Sequence, residues 1–256
     1  NVGPVHVEHF GSVEAIASEK ATLIRSLPSD GVEILNRDDA FFNDFCKAAP
    51  GRVVTVSMQG NADYVCVRRR SSRGEATVVE AASEEMFALK MPLPGDHNIA
   101  NAMQAIAVAR TMNVSWDQID RAMEHYMSLP MRWEETVVDG MVLINDAYNA
   151  NPLSMKAAIQ TFAEKEGAGG KWLILGGMLE LGDREEAEHL ALGRHVGTGS
   201  WAGLIVLGPL GRLVARGAED AGFSREQVFC CEDMVDVARA VALNMKPGDS
   251  ALLKAS

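Results

Sequence analysis

Apolar and polar positions alternate with two different rhythms along this chain. In the first half, Val13, Ile16, Ala17, Ile24 and Leu27 recur on one helical stripe, which predicts an early helix. Residues 32–35 and 52–57 are short apolar runs of strand type. Residues 64–70 and 76–79 flank Ser71-Ser72-Arg73-Gly74, the pattern of an antiparallel hairpin with a polar turn. After Pro92 and Pro94 the rhythm is helical over 98–111 and again over 116–126, with Ser115 placed to cap the second helix. The second half alternates regularly. Strands are expected at 141–144, 172–175, 204–207, 228–230 and 251–254. Helices are expected at 152–165, 185–196, 210–221 and 234–245. Such alternation predicts an α/β fold with a mostly parallel sheet, helices on both faces and ligands beyond the carboxyl ends of the strands. The change of rhythm places a domain boundary near Ser128-Leu129-Pro130, giving 1–128 and 129–256.

Composition narrows the function classes. Apolar residues make up 47% and charged residues 23%, the balance of a globular protein. A net charge of -11 argues against nucleic acid or an anionic membrane as the main partner. No apolar run approaches the roughly 20 residues of a membrane span, and no signal-peptide pattern is present. The chain begins at Asn1, without a start methionine. Cys46, Cys66, Cys230 and Cys231 form no CxxC pair, which fits a reducing cytoplasm better than a disulfide framework or zinc site.

Several positions can carry chemistry. Asn151 precedes Pro152 and can cap the helix that follows. Asp146 falls just past a strand end, where a carboxylate can accept from ribose hydroxyls; a polar turn formed with Asn145 is the alternative. The loop Gly176-Gly177-Met178-Leu179-Glu180-Leu181-Gly182 leaves a strand and enters a helix, where backbone N–H groups can face an anion, although tight turning also explains its glycines. Asp183 and Glu186 have capping-box spacing. Lys20 shares the stripe of Val13 and Leu27, as either a snorkelling lysine or an amine held at an active-site wall. If residues 1–9 are extended, His6 and Glu8 share a face and could serve a divalent metal, or simply lie at the surface. Gly167-Ala168-Gly169-Gly170-Lys171 is not a phosphate loop, because Trp172 follows it and it precedes a strand. His189 and His195 are six apart on a helix and do not make a metal pair.

Taken in order, five segments resemble the Mur ligase family of ATP-dependent peptide ligases. They are NVGPVHVEHFGSVEAIASEK at 1–20, GDHNIANA at 95–102, LPMRWE at 129–134, NDAYNANPLSM at 145–155 with LGGMLELG at 175–182, and GDSALLKAS at 248–256. The fourth is most similar to the branch that adds D-alanyl-D-alanine to UDP-N-acetylmuramoyl-tripeptide. The resemblance implies the later part of an ATP-binding central domain followed by a Rossmann-like C-terminal domain. It also implies ATP and Mg2+ as cofactors and a cytoplasmic monomer serving peptidoglycan synthesis.

Residue roles follow by the same resemblance. His6 and a carbamylated Lys20 would hold magnesium, and Asn98 and Asn101 would contact adenine. Arg132 would approach the phosphates and Asp146 the ribose. Tyr148 and Asn151 would lie near the nucleotide or the incoming amine. Met178, Glu180, Leu181, Lys254 and Ser256 would help hold D-alanyl-D-alanine. Three departures qualify this. The family's GxxGKT phosphate loop and its N-terminal sugar-binding domain are not in the chain, Gly177 stands where relatives usually have Asp, and relatives continue past residue 256. The expectation is a fragment inactive by itself. The alternatives are a sister ligase adding another amino acid, a non-catalytic nucleotide-binding module, and a nicotinamide dehydrogenase, the last lacking its glycine fingerprint.

Overall fold

A computed structural model describes residues 2–3 and 7–256. The chain divides into two compact units, one built on Phe10–Met127 with residues 2–3, and one on Ser128–Ser256 with residues 7–9. Among the described residues, no helix is long and apolar enough to cross a membrane.

The first unit is a five-stranded sheet in the order β1 (Val32–Asn36), β2 (Arg52–Ser57), β3 (Tyr64–Arg70), β4 (Glu75–Glu80) and β5 (Glu85–Lys90). The first three strands pair parallel and the last three antiparallel, with a bulge between Cys66 and Arg68. Helix α2 (Val13–Arg25) is capped by Ser12, whose side chain accepts from Ala15 N–H; the four-residue helix α1 (Val7–Phe10) before it has residues 7–9 in the second unit. Ala17 and Ala21 of α2 pack with Leu35 of β1 and Phe45 of α3 (Phe42–Ala48). The expected stripe is therefore present, and Lys20, whose angular position falls within the apolar arc, is exposed.

Helix α4 (Asp96–Thr111) buries Ile99, Met103, Ile106 and Ala107 almost completely. Its N-terminus is tied to the hairpin turn. Gly95 N–H donates to Ser71 O at 2.7 Å, while Asp96 accepts from Ser71 Oγ and pairs with Arg69 at 2.9 Å. Helix α5 (Trp116–Glu124) has the expected Ser115 cap, made reciprocal by Gln118. Trp116 stacks on Phe87 of β5, and Arg110 lies over the Trp116 ring. Arg110 also donates to Glu80 at 2.9 Å, and Tyr64 Oη donates to the other Glu80 oxygen at 2.6 Å. Burial and the Glu80 carboxylate both hold the Tyr64 hydroxyl well above its ordinary pKa. Burial opposes ionisation of Glu80, but the bonds from Tyr64 and Arg110 outweigh it and keep its pKa low.

The second unit is a six-stranded sheet in the order β10-β9-β8-β11-β7-β6. Strands β7 (Met141–Asn145), β8 (Lys171–Leu175), β9 (Gly203–Leu207), β10 (Val228–Cys231) and β11 (Ser250–Lys254) run parallel, and only the edge strand β6 (Glu134–Val138) is antiparallel. The α/β expectation holds. Helices α6 (Pro152–Glu164), α7 (Glu185–Gly197), α8 (Gly208–Asp220) and α9 (Met234–Asn244) supply the outer layers. Residues Ile174, Ile205 and Ala251 pack towards Val237 of α9, and the alternate set Leu173, Leu175 and Leu252 faces the opposite layer, completely buried. Close approach of α7 and α8 depends on two glycines. A Cβ on Gly193 would lie 2.1 Å from Val214 O, and one on Gly217 would lie 2.3 Å from Leu190 O. The Asp183/Glu186 capping box does not form. The chain enters α7 through a 3-10 turn at Gly182–Arg184, which moves the helix start past Asp183 and leaves Arg184 at the cap position with no side-chain capping bond.

Candidate functional site

Because five strands of the second sheet are parallel, their carboxyl ends share one edge. The loops leaving β7, β8 and β11 meet there. Asp146, at the end of β7, is the hub. Its Oδ2 accepts from Lys254 Nζ at 2.6 Å and its Oδ1 accepts from Trp133 N–H at 3.2 Å. Lys254 closes β11 and is only 4% exposed. Its ammonium has three donors and uses them on Asp146 Oδ2, Asp146 O at 3.0 Å and Asn149 O at 3.1 Å. The Lys254 side chain is thereby committed inside the protein. It fixes the loop that carries Asp146, Tyr148 and Asn151.

Ser256 works on the same loop. Its Oγ accepts from Ala150 N–H at 2.8 Å and lies within hydrogen-bond distance of Asn149 Oδ1 at 2.9 Å and Ala150 O at 3.0 Å. Ser256 N–H donates to Gly177 O at 3.0 Å, so the end of β11 also grips the loop after β8. Asn151 caps α6 as expected, accepting from Ser154 N–H at 2.9 Å while Ser154 Oγ accepts from Asn151 N–H at 3.0 Å. Replacing Asn151 by Ala is expected to cost about 1 kcal/mol of stability, measurable by urea titration of the chain.

Leading into β6, Met131 and Trp133 both have positive φ, at 60° and 50°. This backbone is strained for non-glycine residues and is held by its surroundings. Met131 N–H donates to Glu134 Oε2 at 3.0 Å, Tyr148 N–H donates to Met131 O at 3.1 Å, and Trp133 is buried. Between them Arg132 is turned outward. Its guanidinium lies 4.3 Å from the centre of the Tyr148 ring, itself 59% exposed. A cation stacked on an exposed aromatic face, beside a neutralised Asp–Lys pair, is a surface that can take a phosphate and the flat body of a nucleoside.

In the loop after β8, Met178 and Leu181 are 0% and 2% exposed. Both side chains, expected from the sequence to help hold the dipeptide, anchor the loop in the interior. Leu179 and Glu180 form its outer tip, with Glu180 at φ 62°. Glu180 O accepts from Glu8 N–H at 3.3 Å, and its carboxylate lies 4.0 Å from His9 Nε2. Gly177 leaves room for Leu210: a Cβ there would lie 2.8 Å from Leu210 Cδ1. Met178 N–H donates to Nε2 of the fully buried His189 at 2.9 Å.

In the first unit, Asn98 and Asn101 sit one turn apart on α4. Asn98 Nδ2 donates to Pro94 O at 2.7 Å, which fixes its amide; Asn98 is half-buried and Asn101 is exposed. His6 lies outside the described residues. Among the described residues no group of three His, Cys, Asp or Glu converges on a metal-sized point, and Lys20 is exposed.

Residues 1–109 match the model of the Mur ligase middle domain, and residues 131–256 match that of the Mur ligase, glutamate ligase domain. The chain belongs to the Mur ligase family. Among curated Mur ligases, the UDP-N-acetylmuramoyl-tripeptide--D-alanyl-D-alanine ligase of Bacillus subtilis is 34% identical over 258 residues, covering the whole chain and 55% of that protein. The enzyme of the same name from Escherichia coli is 31% identical over 197 residues, covering 75% of this chain and 43% of that protein. The chain thus spans about half the length of the curated relatives it matches. Among solved Mur ligase structures, MurF from Acinetobacter baumannii superposes with a TM-score of 0.87 at 24% identity, covering all of this chain and 55% of that one. MurF from Thermotoga maritima, solved in complex with ADP, gives 0.81 at 23% identity, with 100% and 57% covered. At those identities the structural likeness speaks for the fold alone.

Proposed function

We propose that this chain forms the later part of the central domain, 1–128, and the C-terminal domain, 129–256, of an ATP-dependent ligase. The ligase joins D-alanyl-D-alanine to UDP-N-acetylmuramoyl-tripeptide in the cytoplasm, acting as a monomer. The observation that carries the reading is the meeting of Arg132, Tyr148 and Asp146 with the 176–182 loop beyond the carboxyl ends of β7, β11 and β8, in a Mur ligase whose relatives bear that name.

Two chemical steps are proposed. The terminal carboxylate of the tripeptide attacks the γ-phosphorus of ATP, forming an acyl phosphate and releasing ADP. The amine of D-alanyl-D-alanine then attacks the acyl carbon. The tetrahedral intermediate collapses to the amide, inorganic phosphate leaves, and the amine gives up a proton. Arg132 neutralises charge on the phosphoryl group in the first step, where transition-state charge is greatest. Asp146 has one lone pair on each oxygen beyond its bonds to Trp133 and Lys254, and takes a ribose hydroxyl. Tyr148 stacks beside the nucleoside, and Asn98 and Asn101 contact adenine. Leu179 and Glu180 at the loop tip contact the dipeptide. A magnesium ion, held in part by His6 and a carbamylated Lys20, would supply further neutralisation.

Phosphate release by the protein in its natural full length tests this, given ATP, magnesium and UDP-N-acetylmuramoyl-tripeptide with and without D-alanyl-D-alanine. Release that depends on the dipeptide is expected. Release that depends instead on a single amino acid and a shorter precursor would make the protein a sister ligase.

A further inference from the structure

We infer that His189 is the positioning residue of the 176–182 loop and sets its affinity for the incoming dipeptide; this rests on the function proposed above. The loop has to leave β8, turn and enter α7 without leaving buried backbone groups unpaired. Gly176 and Gly177 are tied to the end of β11. Beyond them the chain passes through Met178, whose N–H lies in the interior and points at His189 Nε2.

Both nitrogens of His189 have assigned partners, and the partners fix the tautomer. Nδ1 lies 2.6 Å from Glu185 O, a carbonyl that can only accept, so Nδ1 carries the proton. Nε2 faces Met178 N–H, which can only donate, so Nε2 is the acceptor. One imidazole therefore links the first turn of α7 to the base of the loop. It is 0% exposed. One residue beyond the fixed amide, the chain presents Leu179 and then Glu180 in its left-handed conformation. With Met178 and Leu181 buried on either side, the direction of the Met178 N–H bond sets how that tip is displayed.

Two substitutions separate positioning from simple packing. In His189→Asn the short amide can still donate to Glu185 O but does not reach Met178. In His189→Gln the amide oxygen sits near the place of Nε2 and can accept from Met178 N–H. In the natural full-length protein, His189→Asn is expected to raise the KM for D-alanyl-D-alanine about tenfold and leave the KM for ATP within about twofold. Hydrogen exchange at the Met178 amide is expected to quicken in the same variant, with β8 and α8 protected as before. His189→Gln is expected to restore both quantities. A Met178 amide that exchanges faster while the dipeptide KM stays put would overturn the inference, as would Asn and Gln variants that behave alike. Absence of dipeptide-dependent phosphate release from the unmodified protein would overturn the proposed function and this inference with it, whereas release from it with an unmoved KM in the Asn variant overturns this inference alone.

Discussion

Lys254→Met is expected to destabilise the second unit by about 3–5 kcal/mol, the usual loss when one partner of a buried ion pair is removed. Asp146 is 18% exposed at the side chain and Lys254 4%, so neither charge is well solvated by water. The methionine fills most of the space but donates nothing. Asp146 is left with the single bond from Trp133 N–H, and the carbonyls of Asp146 and Asn149 lose their donor. Urea unfolding of the chain measures the loss. The double variant Lys254→Met, Asp146→Leu is expected to recover a large part of it, because the pair as a whole contributes much less than either charge stranded alone. A single-variant loss below about 1 kcal/mol, the range of a solvated surface pair, would show that Asp146 reaches water and that the pair is not the fastening of this loop.

The parts of this fold that could be read from sequence are those that bury apolar residues in a regular pattern or a continuous run. The strands at 52–57 and 64–70 and the helices and strands after residue 141 have bounds within a residue or two of expectation, and among them β8, β9 and β11, buried on both faces, read as short continuous apolar runs. Three elements gave no such signal. Strand β6 is exposed at every position, so no alternation marks it. In β5, Phe87 and Leu89 are buried but Met86 is 68% exposed, which blurs the period. Helix α3 has seven residues and no side-chain cap. The candidate site divides similarly. Asn151 announced itself through Pro152. The fastening of Asp146 by Lys254 spans 108 residues, and the link between His189 and Met178 depends on how a loop folds back. Neither has a local pattern. Nor does any pattern give positive φ at Met131 and Trp133, the feature that turns Arg132 outward.

That outward turn makes Arg132 the residue whose loss is expected to cost most activity. Arg132→Ala is expected to lower kcat in the natural full-length protein by about 10²–10³-fold, the usual effect of deleting one donor aimed at developing charge. The stack on Tyr148 contributes little to stability at an exposed site, so urea titration should show a loss of no more than about 1 kcal/mol, far below the effect on kcat. Arg132→Lys sharpens the comparison. Lysine restores the charge but not the planar fork or the flat contact with Tyr148 at 4.3 Å, so it is expected to recover only part of kcat. Tyr148→Leu, which keeps Arg132 but removes the ring beneath it, is expected to fall between wild type and Arg132→Ala. Phosphate release at saturating D-alanyl-D-alanine reads all three. Full activity in Arg132→Ala would mean that the guanidinium meets no phosphate. The strained backbone on either side of it would then need another reason, since the surrounding bonds to Asp146 and Glu134 hold that conformation against its own preference.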